Sequence, residues 1–165
     1  MRVVLDTGDQ LLILARLALA ALLGAFIGLE RELRGYPAGI RTVALVATGA
    51  ALFTEISRIT GTEDRIAAGI VTGIGFLGAG LIFREGYTVR GITTAATVWS
   101  AAAIGMAVAR ELYLVAGLGS LLVFILLEAR PVVRRLEAFI LSLGRELVLR
   151  EEEHDHEHDH EHGHG

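Results

Sequence analysis

An eighteen-residue run without a charged side chain, Ile66 to Phe83, most narrows what this chain can fold into. As an α-helix it would be about 27 Å long, close to the roughly 30 Å thickness of the hydrocarbon layer of a membrane. Glycine costs about 1 kcal/mol relative to alanine in a soluble helix, whereas in a membrane it lets helix backbones approach closely. The run contains Gly69, Gly73, Gly75, Gly78 and Gly80. It therefore predicts a central helix of a multi-span membrane protein.

The composition supports a membrane protein and excludes several kinds of active site. Hydrophobic residues make up 53% of the 165 residues and 20 glycines come in addition, whereas soluble domains are about 45–50% apolar with glycine included. The chain has no cysteine, so disulfides and thiolate metal sites are excluded. It has no lysine, which a P-loop requires, and no recognisable catalytic set, because every histidine lies in the last twelve residues. We expect a protein that is not an enzyme.

Five apolar segments are predicted to cross the membrane, at about 10–29, 40–58, 66–83, 91–109 and 112–128. In the second segment only Thr42 to Thr54 lacks charge, and such a length also fits a re-entrant or interfacial segment. Arg16 interrupts the first segment, and we expect its side chain to extend outward to the headgroups.

The arginine distribution favours five crossings with the N-terminus outside. With five crossings, ten arginines would lie on the cytoplasmic side and four outside, whereas without the second crossing the division is six against eight. The cytoplasmic ten would be Arg31, Arg34, Arg41, Arg84, Arg90, Arg130, Arg134, Arg135, Arg145 and Arg150. We therefore predict an all-α integral membrane bundle over residues 1–128, with its C-terminus in the cytoplasm.

Two further segments follow the bundle. In 129–150, apolar residues recur at helical spacing beside five arginines and two glutamates, which predicts an amphipathic basic helix on the inner membrane surface. A cytoplasmic extension of the last span or half of a dimer contact are the alternatives. The tail 151–165 has no apolar residue, so we expect disorder without metal. Imidazole suits Zn²⁺ or Ni²⁺, and the candidate ligands, in what is otherwise a solvated terminus, are His154, His156, His158, His160, His162 and His164.

Polar residues at the ends of the first three spans form a candidate functional cluster. Ionisable groups at membrane depth are costly and usually mark function. We expect Glu30 to pair with Arg41, and Glu55 to pair with Arg58 on one helix face. The alternative is a solvated loop that only fixes the topology. The predicted cluster consists of Glu30, Arg31, Arg34, Arg41, Thr42, Glu55 and Arg65.

Small and hydroxyl residues form a second candidate set, for helix packing or a cavity. The five glycines of 66–83 predict close packing, or else a locally unwound helix, while their G-x-G-x-x-G pattern lacks the preceding strand of a nucleotide site. Gly24 and Gly28 are four residues apart, as are Gly69 and Gly73, and this spacing is typical of close helix contacts. In the fourth span, hydroxyl groups bond their own helix or line a cavity, and the tryptophan is expected to pack inside the bundle. These residues are Thr93, Thr94, Thr97, Ser100 and Trp99.

Three segments resemble the MgtC/SapB family of bacterial inner-membrane proteins: GLERELRGYPAGIRTVALVATGAALF (28–53), RIAAGIVTGIGFLGAGLIF (65–83) and VRGITTAATVWSAAAIG (89–105). The resemblance implies about five spans, a cytoplasmic C-terminus and a link to survival in low magnesium. Members are often labelled accessories of a magnesium-transporting ATPase, or are proposed to regulate membrane ATPases. The family often has Asp-Pro before the residue matching Arg65, and Gln where this chain has Gly69. Longer members carry a soluble C-terminal domain, so we expect a short form.

We expect a membrane protein of magnesium homeostasis that acts as an accessory or regulator of a transporter or ATPase. A small Mg²⁺ transporter or channel is one alternative, and a metal-binding module acting through the histidine tail is another. Expected partners are the lipid bilayer, a membrane ATPase or transporter and a second copy of the chain, with no nucleic acid. No cofactor is predicted with certainty. Zn²⁺ or Ni²⁺ is a candidate ligand of the tail, and Mg²⁺ is the candidate physiological ion.

Overall fold

A computed structural model describes residues 5–129 as five helices and one short β-hairpin. The elements are α1 Thr7–Leu33, α2 Ile40–Thr60, α3 Glu63–Leu81, β1 Phe83–Glu85, β2 Thr88–Arg90, α4 Ile92–Ala109 and α5 Tyr113–Glu128. By contacts the chain divides into Met1–Leu127 and Glu128–Gly165, and the bundle is the first of these. The predicted helix 129–150, apart from Ala129, and the predicted tail 151–165 lie outside the described residues.

The prediction of an all-α membrane bundle is confirmed. Four helices, α1 to α4, are long and apolar enough to cross a membrane by length and composition. The second predicted span, for which a re-entrant segment was an alternative, is a continuous 21-residue helix. The fifth helix has 16 residues, so its crossing stays a prediction, as does the orientation of the bundle.

The predicted third span ends too late, because the chain turns into a hairpin at Phe83. Strands β1 and β2 pair antiparallel, with Phe83 opposite Arg90 and Glu85 opposite Thr88. Gly91 then starts α4 with φ 92°, and a Cβ there would lie 1.9 Å from the Leu81 carbonyl oxygen. Only glycine fits this combination of left-handed backbone and close approach.

Side chains of α1 fix the starts of two helices. Asp6 and Asp9 form a capping box, in which the Asp9 N–H donates to the Asp6 carboxylate at 2.8 Å. At the other end of α1, the Glu32 carboxylate accepts the Ile40 N–H at 3.0 Å. A carboxylate at a helix N-terminus satisfies a free donor and complements the helix dipole. Glu32 thereby holds the start of α2 against the end of α1.

Helices α1, α2 and α4 form the core, because glycine lets their backbones touch. A Cβ on Gly24 would lie 2.8 Å from the Val43 carbonyl oxygen, and a Cβ on Gly28 would lie 2.7 Å from the Ile40 Cα. In α4, a Cβ on Gly105 would lie 2.0 Å from the Ala47 carbonyl oxygen. The predicted close contact through Gly24 and Gly28 is therefore present, between α1 and α2.

Helix α3 lies at the edge of this core, which corrects its predicted central role. It is helical throughout, not locally unwound, and only Gly78 is buried, where a Cβ would lie 3.5 Å from the Ala95 Cβ. A Cβ would meet nothing within 4 Å at the other four glycines, Gly69, Gly73, Gly75 and Gly80. Trp99 of α4, predicted to pack inside, is 51% exposed. Lipid is as apolar as a helix surface, so an apolar run need not be buried in protein.

Candidate functional site: two buried ion-pair clusters

The first cluster surrounds Arg16, in the N-terminal half of α1. Its guanidinium donates to the Glu55 carboxylate at 3.0 Å, to Glu111 at 2.7 Å and to the Tyr113 hydroxyl at 3.1 Å. The side chain of Arg16 is 13% exposed and that of Glu55 is 3% exposed. Arg16 is therefore mostly covered by protein and is bonded both to α2 and to the exposed turn between α4 and α5. Its predicted extension to the headgroups stays a prediction. We call Arg16, Glu55, Arg58, Glu111 and Tyr113 the Arg16 cluster.

Arg58 completes the charge balance of the Arg16 cluster. Its guanidinium lies 3.5 Å from Glu55, as predicted, and 3.1 Å from Glu111, and it donates to the Ala109 carbonyl at 3.0 Å. Two arginines thus face two glutamates, so the cluster has no net charge. Glu111 has φ 64°, a left-handed backbone that costs a non-glycine residue of order 1 kcal/mol. Its two ion pairs offset this cost and tie the α4–α5 turn to α1 and α2.

The second cluster lies at the C-terminal end of α1, fifteen residues or about 22 Å further along the helix. Arg31, which is 1% exposed, donates to the Thr94 hydroxyl of α4 at 2.5 Å. Its guanidinium carbon also lies 4.2 Å from the centre of the Tyr36 ring, a cation–π distance. We call Glu30, Arg31, Arg34, Tyr36 and Thr94 the Arg31 cluster.

Glu30 is the buried acid of the Arg31 cluster, and its partner differs from the predicted one. Its carboxylate lies 2.9 Å from the Arg34 Nε, one turn along α1, whereas the Arg41 side chain is exposed. The contact is an ion pair without hydrogen-bond geometry, and neither carboxylate oxygen has a hydrogen-bond partner among the described residues. A carboxylate that is 2% exposed and lacks hydrogen bonds is costly in a membrane protein.

The predicted polar set is thus divided between two ends of the bundle, and part of it is peripheral. Glu30, Arg31 and Arg34 meet in the Arg31 cluster, while Glu55 belongs to the Arg16 cluster. The other three residues, Arg41, Thr42 and Arg65, are exposed.

The hydroxyl residues of α4 mostly satisfy their own helix. Thr97 donates to the Thr93 carbonyl at 2.8 Å and Ser100 donates to the Ala96 carbonyl at 2.9 Å. Thr93 is exposed. Thr94 differs, because its hydroxyl accepts the bond from Arg31 across two helices. Among the two predicted alternatives, back-bonding accounts for the stripe and cross-helix bonding for Thr94.

Four residues of the two clusters were predicted neither as site residues nor as partners of one: Arg16, Tyr36, Glu111 and Tyr113. One signal could have identified the first pair: Arg16 and Glu55 are the charged residues that interrupt the first two apolar runs, at similar depth from the same side. Glu111 and Tyr113 carry no such signal, because they lie in a turn whose geometry follows from the packing of α4 and α5.

Within the described residues, no group of three or more His, Cys, Asp or Glu side chains is placed to hold a metal ion. The six tail histidines, predicted as Zn²⁺ or Ni²⁺ ligands, lie outside those residues. What the two clusters do provide is paired charge at both ends of an apolar bundle, which fixes the register of α1 against α2 and α4.

The chain is similar in sequence to members of one protein family. The profile of the MgtC family matches residues 17–136. An uncharacterized protein of Synechocystis sp. is 46% identical over 130 residues, 77% of this chain and 54% of the relative. Protein MgtC of Salmonella typhimurium is 61% identical over 89 residues, and Protein MgtC of Brucella abortus is 55% identical over 95 residues.

These matches cover 53% and 56% of this chain, and 38% and 40% of the Salmonella and Brucella proteins. The chain thus spans about half the length, or less, of the curated relatives that it matches. No solved structure matches it. Because the family profile covers most of the chain, and four helices are fit to span a membrane, the chain belongs to the MgtC family.

Proposed function

We propose that this chain is a non-enzymatic membrane protein of magnesium homeostasis, which acts as an accessory or regulator of a membrane transporter or ATPase. The family supports the link to magnesium. The accessory role is supported by one observation, the close packing of the bundle between its two charged clusters.

Between the clusters, the core of α1, α2 and α4 consists of small and apolar side chains with no exposed surface. Ala20, Ile27, Val43, Ala47 and Ala101 are each 0% exposed. The Gly105 contact brings the α4 backbone against the Ala47 carbonyl. Mg²⁺ gives up its waters reluctantly and usually keeps several of them. A core packed backbone to backbone leaves no room for a hydrated ion, which favours an accessory over a conduit.

The placement of the Arg16 cluster supports helices that cross a bacterial inner membrane in alternating directions, and the arginine bias then favours one orientation. It joins the N-terminal half of α1 to the C-terminal part of α2 and to the α4–α5 turn, as expected when α1 and α2 cross in opposite directions. With the arginine bias, this favours an outer N-terminus, an outer Arg16 cluster and a cytoplasmic Arg31 cluster. A reporter fused after Gly61 that read cytoplasmic would contradict this orientation.

A Mg²⁺ transporter is the second candidate, and Glu30 is the observation that favours it. Carboxylate oxygen is the ligand that Mg²⁺ prefers, and the Glu30 oxygens have no hydrogen-bond partner in residues 5–129. Against this, Glu30 already pairs with Arg34 and lies beside the buried Arg31. Two neighbouring positive charges disfavour a cation at that carboxylate.

The test is Mg²⁺ uptake into proteoliposomes that contain the purified protein and an internal Mg²⁺-sensitive dye. We expect the wild-type protein to give no uptake above protein-free liposomes, with insertion and orientation verified. Uptake that is lost in Glu30→Gln but kept in Glu85→Gln, an exposed glutamate of the hairpin, would replace the proposal with transport.

The accessory role itself requires a partner. The protein is purified by affinity from the membranes of cells grown in low magnesium, and the proteins that accompany it are quantified by mass spectrometry. A transporter or ATPase subunit should be enriched over a control purification from cells that lack the protein. If neither uptake nor such a subunit is found, the accessory role is wrong as well.

A further inference from the structure

An apolar groove runs along the membrane-facing surface of the bundle between α2 and α3. Its volume is about 680 Å³, within the range of about 300–1,000 Å³ that is typical of ligand sites. The floor contains Gly49, Gly69 and Gly73, where a Cβ would meet nothing within 4 Å. The walls include Leu45 and Phe53, which are 72% and 57% exposed. The described bundle therefore leaves a groove on its membrane-facing surface that its own side chains do not fill.

The length of the groove corresponds to one leaflet of a membrane. On α3 it extends from Arg65 to Leu77, twelve residues or about 18 Å at 1.5 Å per residue. Half of the hydrocarbon layer is about 15 Å, whereas a helix that crosses the whole layer needs about 30 Å. A single acyl chain matches this length, and a complete transmembrane helix exceeds it.

Among the described residues that line the groove, one is charged, and it lies at the end nearest the α2–α3 turn. Arg65 is in the first turn of α3 and its side chain is exposed. Of the two neighbouring acids, Glu63 pairs with Arg110, and Asp64 points away from Arg65 by about 100° around the helix. Arginine is well suited to phosphate oxygens. The groove thus combines an apolar length of one leaflet with a phosphate-binding group at the level of the headgroups.

We propose that this groove, lined by α2 and α3, binds one phospholipid, with an acyl chain over Gly69 and Gly73 and the headgroup phosphate on Arg65. The bound lipid covers the side of α3 that residues 5–129 leave open. It also supplies α3 with the contacts that close packing supplies to α4.

The test measures phospholipid that stays with the protein through purification in mild detergent, by native mass spectrometry and by phosphorus content per chain. The protein is first reconstituted in nanodiscs of phosphatidylethanolamine and phosphatidylglycerol at three to one. The groove is filled in the double variant Gly69→Leu, Gly73→Leu. Gly75→Leu is the matched control, since Gly75 is equally open but does not line the groove.

We expect one phospholipid per wild-type chain and per Gly75→Leu chain, and none on the groove-filled variant. Arg65→Gln should lower retention about tenfold, as the loss of one charge-assisted hydrogen bond would, while Arg84→Gln in the hairpin should not. All of these positions are exposed or open, so the variants should remain folded, which circular dichroism checks.

Three results would overturn the proposal: no lipid on the wild-type chain, lipid retained on the groove-filled variant, or equal losses for Arg65→Gln and Arg84→Gln. If filling the groove instead converts a dimer to a monomer, a second copy of the chain is the occupant. If it abolishes crosslinking to another membrane protein, a partner helix is the occupant.

Discussion

Helices α3 and α4 have similarly apolar sequences but opposite surroundings. Both are rich in small residues, mostly glycine in α3 and mostly alanine in α4, and neither has a charge over its apolar stretch. Nevertheless, 56% of the residues in the apolar stretch of α4 are buried inside the bundle, against 6% of those in α3. In water such runs would both have to be buried, but lipid accommodates an apolar helix as well as protein does. Hydropathy therefore identifies membrane helices without identifying the core.

The difference between the two helices lies in what their small residues face. In α4, Ala101, Ala102, Gly105 and Ala109 lie on the side packed against α1 and α2. In α3, the glycines other than Gly78 face open space or the groove. Small residues thus mark two different surfaces, one that is filled by a neighbouring backbone and one that is available to a molecule from outside.

The largest expected effect is that of Gly105→Leu in α4. The Ala47 carbonyl oxygen occupies the place of a Cβ at Gly105, and a backbone within the core cannot move aside as a side chain can. We expect a loss of more than about 5 kcal/mol of unfolding free energy, enough to prevent assembly. The measurement is unfolding by sodium dodecyl sulfate in mixed micelles, followed by circular dichroism.

The matched control is Gly80→Leu in α3, where a Cβ meets nothing within 4 Å. Its unfolding free energy should stay within about 0.5 kcal/mol of wild type, as for substitutions without new contacts. Equal losses in the two variants would mean that α3 is as tightly enclosed as α4, and the comparison between the helices would fail.

Sequence reasoning found the helices because charge-free length and periodic small residues are local properties of the chain. It could not place Gly105, whose importance depends on which carbonyl of α2 lies opposite. It also extended α3 to Phe83, because Phe83 continues an apolar run, while the turn at Gly86 and Gly91 that ends the run depends on backbone conformation. In the site, Glu30 and Arg31 were among the predicted cluster residues, since charges at the end of a span are few and costly, and the structure buries both. Arg34, the observed partner of Glu30, lies four residues after it, a spacing at which helical side chains meet, so this pair could have been predicted from the sequence. The bond from Arg31 to Thr94 could not, because it depends on how α1 packs against α4.

The ion pair between Arg16 and Glu55 in the core is largely buried, whereas the pair between Glu85 and Arg90 beside α3 is exposed. Glu55→Ala removes the acid that holds Arg16 and Arg58. Within residues 5–129, Arg16 is then left mostly buried with Glu111 as its remaining charged partner. Breaking a buried ion pair costs about 3–5 kcal/mol. Glu85→Ala removes an exposed pair with Arg90 in the hairpin after α3, worth about 0–1 kcal/mol.

The same unfolding titration, repeated at low and high salt, distinguishes the two pairs. Salt should weaken the contribution of Glu85 and leave that of Glu55 nearly unchanged, because buried charges are screened much less. A Glu55→Ala protein as stable as wild type would show that water reaches Arg16, and the Arg16 cluster would then not be a buried network.

The smallest expected effect concerns one hydroxyl group in each helix. Thr94→Val in α4 keeps the side-chain shape but removes the acceptor for buried Arg31, and a hydrogen bond to a charged group contributes about 1.5–3 kcal/mol. In α3, Thr72 is exposed and donates to its own helix, at the Ala68 carbonyl, so Thr72→Val should change stability by less than about 0.5 kcal/mol.

Thr94→Ser, which keeps the acceptor, should recover most of the loss caused by Thr94→Val. If it does not, the methyl group of Thr94 matters more than the bond to Arg31. The Arg31 cluster would then be held by packing. The polar side chains of the core would differ from those of α3 only in how far they are buried.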